Sequence, residues 1–234
     1  MAALVHLIVS CLGAVSAATS SQQTYYRVWA DYGVERIGQA TKCLSAPACA
    51  VSTQEMYPEA RSFMFNPFLN MCLPGGRLSR AFSQTGDAEG YLYVQLKAPQ
   101  SLAVVSQDEA TACIGIFDEL LTYDAAAQRC QGMGYFLASV KNLPKLRVLV
   151  QLAGARSLWV GCDDGGDEGK LVWKEDGSIL SDDTISAVFS ADEPNDYLSQ
   201  DCCLYRNDTY KLDDYDCSVL YPYACEVSLD NCNL

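Results

Sequence analysis

Histidine is almost absent from this chain: its 234 residues include a single one, His6. A Ser or Cys nucleophile usually needs a neighbouring His as its general base, so the sequence gives no support to nucleophilic catalysis of that kind. Zinc sites draw on His or on Cys-X-X-Cys pairs, and no such pair occurs among the 12 Cys. The cysteines therefore indicate disulfides rather than zinc.

Basic residues are also scarce, with 16 Lys and Arg against 29 Asp and Glu, which gives a formal net charge of -13. Such a charge argues against nucleic acid and anionic membrane surfaces as partners. It fits cation binding and simple solubility equally well. Long apolar runs are missing too: residues 4–15 are apolar but too few to span a bilayer. We predict no membrane span.

The short apolar run belongs to a predicted secretory signal peptide over residues 1–18. Small residues at positions 15–18 provide a cleavage site, although the segment before the run lacks Lys and Arg. A buried N-terminal helix is the alternative. Cleavage would remove His6 and Cys11 and leave eleven Cys in an oxidising, extracellular compartment, where disulfides form. The protein is therefore predicted to be secreted.

Two modest domains are expected from the length. The first covers residues 24–97 and should contain strands near residues 25–30, 61–66 and 90–96, a short helix within residues 38–50 and a turn at residues 74–76. Residues 98–112, with Pro99 and several polar residues, are predicted to be a linker.

The first domain resembles a degenerate apple/PAN module. The resemblance is carried by Cys43, Cys49, the segment at residues 62–66 and Cys72-Leu73. It implies a small α+β domain in which disulfides tie a helix to a central sheet, with Cys43 bonded to Cys72. An unrelated small disulfide domain is the alternative.

The second domain, residues 113–227, opens with two helices. Thr122 is a good cap for a helix that reaches Cys130 and ends at Gly132 and Gly134, and Pro144 suits the first turn of a helix over residues 142–153. A long polar loop follows over residues 163–192, and loops of this length are usually functional or disordered.

Side chains ending in oxygen are concentrated just after this loop. A hard cation such as Ca²⁺ takes six to eight oxygen ligands in irregular geometry. A solvated acidic surface is the alternative interpretation. The five candidates are Glu193, Asn195, Asp201, Asp213 and Asp214.

The spacing of these residues resembles the carbohydrate-recognition domain of C-type lectins that carry a Glu-Pro-Asn triplet. The pattern is Glu193-Pro194-Asn195, acidic Asp201 with Cys203 two residues later, the pair Asp213-Asp214, then Cys217 and Cys225. The resemblance implies an α+β fold with two helices, antiparallel sheets and a long calcium-binding loop. It also implies strands at residues 136–140 and 159–162, with Trp159 in the core. Residues 228–234 would form a C-terminal tail.

The resemblance also implies a principal Ca²⁺ site built from Glu193, Asn195, Asp201, Asp213 and Asp214. An auxiliary site would use Asp164, Glu168 and Asp196, with one further acidic position falling on Cys202. Sugar hydroxyls would bind the calcium and the side chains of Glu193, Asn195, Asp201 and Asp213. The order Glu-Pro-Asn implies mannose, N-acetylglucosamine or fucose. Asp201 stands where Glu is usual, and Asp213 stands where Asn is usual, so the sugar contact should be weakened.

The same resemblance implies the remaining disulfides. These are Cys130–Cys225, Cys203–Cys217, Cys162–Cys202 and Cys113–Cys232. Cys49 would be left over, because eleven Cys cannot all pair. A leftover Cys in a secreted protein points either to an intermolecular bridge, and so to a disulfide-linked dimer, or to a wrong assignment of the pairs. Asn207-Asp208-Thr209 is an N-glycosylation sequon at an expected hairpin turn.

The leading hypothesis is a secreted, calcium-dependent carbohydrate-binding protein of mannose-type selectivity, acting in innate immune or cell-surface glycan recognition. The alternative is an extracellular-matrix or mineral-associated protein that uses the same fold without binding sugar. Paired carboxylates can also run glycoside hydrolysis. No motif supports catalysis here, and we predict that the protein is not an enzyme.

Overall fold

The computed structural model describes residues 7–9, 23–28, 33–79, 90–94, 101–107, 110–165, 167, 169–195, 197 and 200–232. The chain divides into two compact units. The first comprises residues 1–98, 108–111 and 229–234, and the second comprises residues 99–107 and 112–228. None of the helices within the described residues combines the length and the apolar character needed to cross a bilayer.

The first unit is built on an antiparallel sheet in the order β1-β2-β7-β5-β6-β3, with β4 paired to β6. One helix, α1, spans Ala46–Met56. The strands are β1 Leu7–Val9, β2 Gln23–Val28, β3 Gly33–Arg36, β4 Thr41–Lys42, β5 Ser62–Asn66, β6 Met71–Ser79 and β7 Tyr91–Val94.

Helix α1 begins later than predicted, and this changes one disulfide. Its N-cap is Ser45, whose hydroxyl accepts a hydrogen bond from the Ala48 N–H at 3.3 Å. Cys49 is fully buried on the inner face of the helix and is bonded to Cys72 of β6. The predicted Cys43–Cys72 bond is therefore wrong, because Cys43 lies before the cap. Cys43 is a buried free thiol.

Residues 74–76 were predicted to turn, but they run through β6. The reason is close strand packing: a Cβ placed on Gly75 would lie 2.4 Å from Ser62 Oγ and 2.8 Å from Val34 Cγ2. Glycine is therefore required where β6 passes between β5 and β3.

Strand β1 lies inside the predicted signal peptide. It pairs with residues 23–25 of β2 at the edge of the sheet. Residues 26–28 of β2 pair with β7 instead. Cleavage after residue 18 would therefore remove one edge strand and leave the other strand pairs of this sheet in place.

The second unit contains three helices around an eight-stranded sheet in the order β14-β13-β11-β15-β9-β8, with β10 paired to β15 and β12 to β11. The pairs β10–β15, β11–β12, β11–β13, β13–β14 and β15–β9 are antiparallel, whereas β11 and β15 pair in parallel. The helices are α2 Tyr123–Gly132, α3 Leu143–Ala153 and α4 Asp182–Val188. The strands are β8 Ala103–Gln107, β9 Ala110–Leu121, β10 Phe136–Leu137, β11 Leu158–Asp163, β12 Val172–Trp173, β13 Cys202–Arg206, β14 Lys211–Tyr215 and β15 Tyr221–Val227.

Both predicted helices of this unit are present; Thr122 caps α2 as predicted, and Asn142, which was predicted to be the first residue of α3, is its N-cap. The Thr122 hydroxyl accepts from the Ala125 N–H, and the Asn142 side chain accepts from the Lys145 N–H at 2.9 Å. Gly154 ends α3 with a positive φ of 59°, a conformation that favours glycine. The long loop contains more structure than expected, namely β12 and α4.

Part of the predicted linker is also structured, since β8 and the start of β9 fall within residues 98–112. The β-branched pair Val104-Val105 suits a strand, and β8 packs against α3. The polar composition around it concealed this strand.

Trp159 of β11 is completely buried, as predicted. Its indole N–H donates to the Leu121 carbonyl at 2.9 Å, and the rings of Tyr123 and Tyr221 meet it edge-on at centroid distances of 5.6 and 5.5 Å. Gly161 follows on the same strand. A Cβ there would lie 2.3 Å from the Leu137 carbonyl oxygen, so glycine lets β10 cross close to β11.

The structure joins Cys130 to Cys225, as predicted, but exchanges the next two pairs. Cys202 bonds Cys217, and Cys203 bonds Cys162, so the predicted Cys203–Cys217 and Cys162–Cys202 bonds are each wrong by one residue. Successive side chains of a strand point to opposite faces. Cys202 shares the core face of β13 with Leu204, where Cys217 packs.

Two further cysteines were predicted to bond each other. Cys113 and Cys232 both take part in disulfides. The pairing between them stays a prediction.

The exchanged bridges can be tested by removing one of two neighbouring cysteines at a time. Cys202→Ala should expose a free thiol on Cys217, because its partner is gone, whereas Cys203→Ala should expose one on Cys162. Alkylation under denaturing, non-reducing conditions followed by peptide mass spectrometry reads out which Cys is modified. Cys43 should be labelled in every variant and in the wild type. Labelling of Cys217 in the Cys203→Ala variant would contradict the assignment.

Candidate functional site

The site forms where the end of the long loop meets β14. The backbone N–H of Asn195 donates to the Asp214 carboxylate at 2.9 Å, which attaches the loop to the strand. The Asn195 side-chain oxygen accepts from the Tyr197 N–H at 2.8 Å, and the Glu193 N–H donates to the Ser190 carbonyl at 3.3 Å. The Glu193–Pro194 peptide bond is cis. Glu193, Asn195 and Asp214 are therefore brought together at this point.

Asp213, the fourth predicted ligand, takes a different direction. In the β13–β14 ladder Asp213 lies opposite Leu204, and Asp214 lies opposite Cys203. Because neighbouring strand residues alternate between faces, the two carboxylates leave opposite faces of the hairpin. Asp214 faces the loop, while Asp213 lies on the face of Arg206.

Arg206 is a charged residue of the site that the sequence did not reveal. Its guanidinium donates to Asp213 at 3.2 Å and to Asp208 at 2.7 Å. These two carboxylates raise the pKa of Arg206, with Asp208 contributing most. Arg206 pairs with Lys211 across the hairpin, which makes Asp213 a diagonal neighbour on the same face. Only the hairpin register could have shown this contact.

Like charges surround Glu193. Partial burial, the carboxyl–carboxyl contact with Asp214 and the negative charges of Asp214 and Asp213 raise the pKa of Glu193 to about 7. One oxygen of Glu193 and one of Asp213 are buried without a hydrogen-bond partner. The carboxyl groups of Glu193 and Asp214 are in direct contact. Two carboxyl groups in contact either share a proton or bind a cation between them.

The donor set fits a hard cation in part. Glu193, Asp214 and the Asn195 amide oxygen are the oxygen types that Ca²⁺ prefers. In the described part of the chain, however, no three His, Cys, Asp or Glu side chains are grouped so that they alone could hold a metal ion. A calcium site here would therefore have to use the Asn195 amide and further oxygens in addition to the two carboxylates.

The position predicted for Asp201 shifts by one residue. The resembled pattern places an acidic residue two before the Cys that bonds Cys217, and that Cys is Cys202. Gln200 now stands at this position, and Asp201 lies at the base of the loop, where its carbonyl accepts from the Asp164 N–H at 3.1 Å. The predicted match to the lectin pattern is therefore one residue too late at Asp201 and Cys203.

Of the auxiliary ligands, only Asp164 can be placed. It is buried, and its carboxylate accepts from the Gly169 N–H at 3.0 Å, which holds the turn that follows β11. Glu168 and Asp196 lie outside the described residues.

The sequon residue Asn207 sits in the β13–β14 turn. Its Nδ2 donates to the Ala155 carbonyl at 2.9 Å, and its Oδ1 accepts from the Ser157 hydroxyl at 2.9 Å. The amide therefore joins the hairpin to the loop after α3. One of the two Nδ2 hydrogens stays outside these contacts.

The region around this site is similar in sequence to known proteins. The family model of the lectin C-type domain matches residues 119–227. An alpha-N-acetylgalactosamine-specific lectin of Patiria pectinifera is 26% identical over 51% of this chain and 76% of its own. Lectin BRA-3 of Megabalanus rosa is 25% identical over 47% of this chain and 67% of its own. The crystal structure of the cow C-type carbohydrate-recognition domain of CD23, determined with an oligosaccharide, aligns with a TM-score of 0.49 at 20% identity, covering 56% of this chain and 96% of that one.

The raised pKa of Glu193 predicts how the cation-free protein responds to pH. Its pKa rises from 4.5 in the unfolded chain to about 7 in the folded one, so the folded state binds the proton more tightly. The contribution of Glu193 to stability should therefore be complete below about pH 4.5 and be lost as pH rises towards 7. Melting temperatures measured in chelator across this range check the sign.

Glu193→Gln is the matched control, because it keeps the shape and removes the titration. Buried Glu226, whose pKa is also raised by burial, stays present in both proteins, so the difference isolates Glu193. Identical pH profiles for the variant and the wild type would contradict the carboxyl–carboxyl contact.

Proposed function

We propose that the protein is a secreted, calcium-dependent carbohydrate-binding protein of mannose-type selectivity, and that residues 119–227, which match the lectin C-type domain, are its carbohydrate-binding part. The C-type lectin domain and the related lectins are not enzymes. Two curated relatives are named as lectins, which supports sugar binding. The observation that carries the proposal is the contact of the Glu193–Asn195 segment with Asp214.

C-type lectin domains generally bind Ca²⁺. Glu193, Asn195 and Asp214 would hold it here, with Gln200 or Asp201 at the edge of the site. A bound Ca²⁺ would neutralise the adjacent carboxylates and leave coordination positions for two neighbouring sugar hydroxyls. The auxiliary site of Asp164, Glu168 and Asp196 is a separate part of the proposal.

The orientation of Asn195 supports a hydrogen-bonding role. Its Oδ1 is fixed by the Tyr197 N–H, so the amide plane is held and Nδ2 is left to donate. The Glu193 carboxylate accepts. An acceptor followed by a donor, in this order, suits the equatorial vicinal hydroxyls of mannose, N-acetylglucosamine or fucose.

Selectivity is the finer part of the proposal. The Patiria pectinifera relative is described as specific for alpha-N-acetylgalactosamine. Any test must therefore compare mannose with N-acetylgalactosamine directly. Tyr197, with 67% of its surface exposed, stands beside Asn195 and offers an apolar ring face to the C–H side of a sugar.

A matrix or interaction role without sugar binding is the second candidate. The Arg206–Asp213 ion pair favours it, because a fixed guanidinium already neutralises one of the predicted ligands. In that case the acidic surface would serve contacts with other proteins or with mineral.

The proposal has three further parts, which concern the first unit, glycosylation and dimer formation. The first unit is proposed to be apple/PAN-like, supported by the disulfide that ties α1 to β6. Asn207 is proposed to be glycosylated through its second Nδ2 hydrogen. Among the described cysteines, Cys43 is the free thiol that a disulfide-linked dimer would use, and it is buried.

Calcium should raise the melting temperature of the second unit at neutral pH. A ligand that binds only the folded state stabilises it by RT ln(1 + [L]/Kd), about 2.7 kcal/mol at a hundredfold excess over Kd. Asp214→Ala should abolish most of this gain. Asp213→Asn is the control, because Asp213 is held by Arg206 on the other face, and it should keep the gain. A melting temperature that ignores both millimolar calcium and chelator would remove the calcium site from the proposal.

Mannose should bind in the presence of calcium and be released by chelator, and N-acetylgalactosamine should bind more weakly. Tyr197→Ala should weaken mannose binding by about tenfold or less, the size of a lost sugar–aromatic contact, without changing calcium affinity. Titration calorimetry with both sugars at fixed calcium measures this. Stronger binding of N-acetylgalactosamine would overturn the selectivity. Calcium binding without binding of either sugar would favour the matrix role.

A further inference from the structure

The long loop leaves the sheet after β11 and returns at β13, and each of these strands carries a cysteine next to the loop. Cys162 on β11 and Cys203 on β13 are bonded to each other, with a Cα–Cα distance of 5.3 Å. The chain between them, 41 residues in sequence separation, is thereby closed into a covalent ring. Glu193 and Asn195 both lie inside this ring.

The bridge lies next to the site as well as at the base of the loop. Cys203 stands directly opposite Asp214 in the β13–β14 ladder. Residues directly opposite each other in a sheet project from the same face. The Cys162–Cys203 bridge, Asp214 and the attached Asn195 therefore share one face of the sheet.

Two further contacts hold the same end of β13. The Asp164 N–H donates to the Asp201 carbonyl at 3.1 Å, immediately beyond the bridge. On the opposite face, Cys202 is bonded to Cys217. The first residues of β13 are thus held covalently on both faces. Cys162 and Cys203 are fully buried, so solvent reductants have no direct access to their bridge.

We propose that Cys162 and Cys203 are positioning residues: their bridge keeps the two ends of the long loop together, so that Glu193, Asn195 and Asp214 stay assembled before any cation binds. The loop then loses its conformational entropy when the protein folds, and calcium binding does not have to order it. In its calcium arm this inference rests on the proposed function.

The first test uses the full chain in chelator. Cys162→Ala and Cys203→Ala are introduced together, so that no unpaired thiol can exchange with Cys202 or Cys217. Hydrogen exchange read by peptide mass spectrometry should show residues 163–201 protected in the wild type and exchanging at least about tenfold faster in the double variant. Peptides from α2 and β15 should be unchanged. Cys43→Ala, which removes a buried thiol but no bridge, is the control and should behave as the wild type.

Equal protection of residues 163–201 in wild type and double variant would overturn the proposal. If the double variant fails to fold, the wild type alone decides. The Asn195 N–H, which donates to Asp214, must stay protected in chelator, and its rapid exchange there would overturn the proposal equally.

The second test separates positioning from general stability. When only a fraction of molecules has the loop assembled, the apparent Kd rises by the inverse of that fraction, so a tenth assembled gives about tenfold weaker calcium binding. Titration calorimetry should show that the weaker calcium affinity of the double variant comes from a less favourable binding entropy. In hydrogen exchange, saturating calcium should restore the protection of residues 163–201 in this variant. A loss in the enthalpy alone would overturn the positioning role.

The two tests fail separately. If neither protein binds calcium but the loop is protected only in the wild type, the proposed calcium site is wrong and the bridge still positions the loop. If both bind calcium equally and exchange equally, the calcium site stands and the positioning role is wrong.

Discussion

Alternation of side chains along the β13–β14 hairpin is the constraint on which both the core and the site depend. On one face, Cys202 and Leu204 enter the core with Trp159, and Arg206 meets Asp213. On the other face, Cys203 stands beside Asp214. A slip of one residue would exchange these sets and bury the wrong groups. The two disulfides at Cys202 and Cys203, one on each face, make such a slip covalently impossible.

The carboxylates on and next to this hairpin have two different electrostatic environments. The charge of Asp213 is neutralised by the guanidinium of Arg206 in the same hairpin, so Asp213 does not depend on a metal ion for charge compensation. Glu193 and Asp214 contact each other, and partial burial together with this contact raises the pKa of Glu193. The two neighbouring residues therefore make different contacts: Asp213 pairs with Arg206 of the same hairpin, whereas Asp214 binds the loop through the Asn195 N–H.

Much of the second unit could be predicted from local signals. The caps Thr122 and Asn142 act within one helical turn, and Trp159 is large and apolar, so each could be placed without knowing the rest of the chain. The pairing of neighbouring Cys202 and Cys203 could not, because it depends on strand register rather than on spacing. The Arg206–Asp213 contact has the same cause. In the first unit, the helix was predicted to start too early, and this concealed the inward-facing position of Cys49.

The doubly bridged end of β13 has a mechanical consequence. A pull on anything bound at the loop would reach the sheet through Asp214 and through the two loop ends. In an ordinary hairpin such tension unzips the ladder one hydrogen bond after another. Here the force would pass into β11 through Cys162–Cys203 and into the segment after β14 through Cys202–Cys217. Covalent bonds would carry the tension, so a tether at this site would detach before the strands beneath it separate.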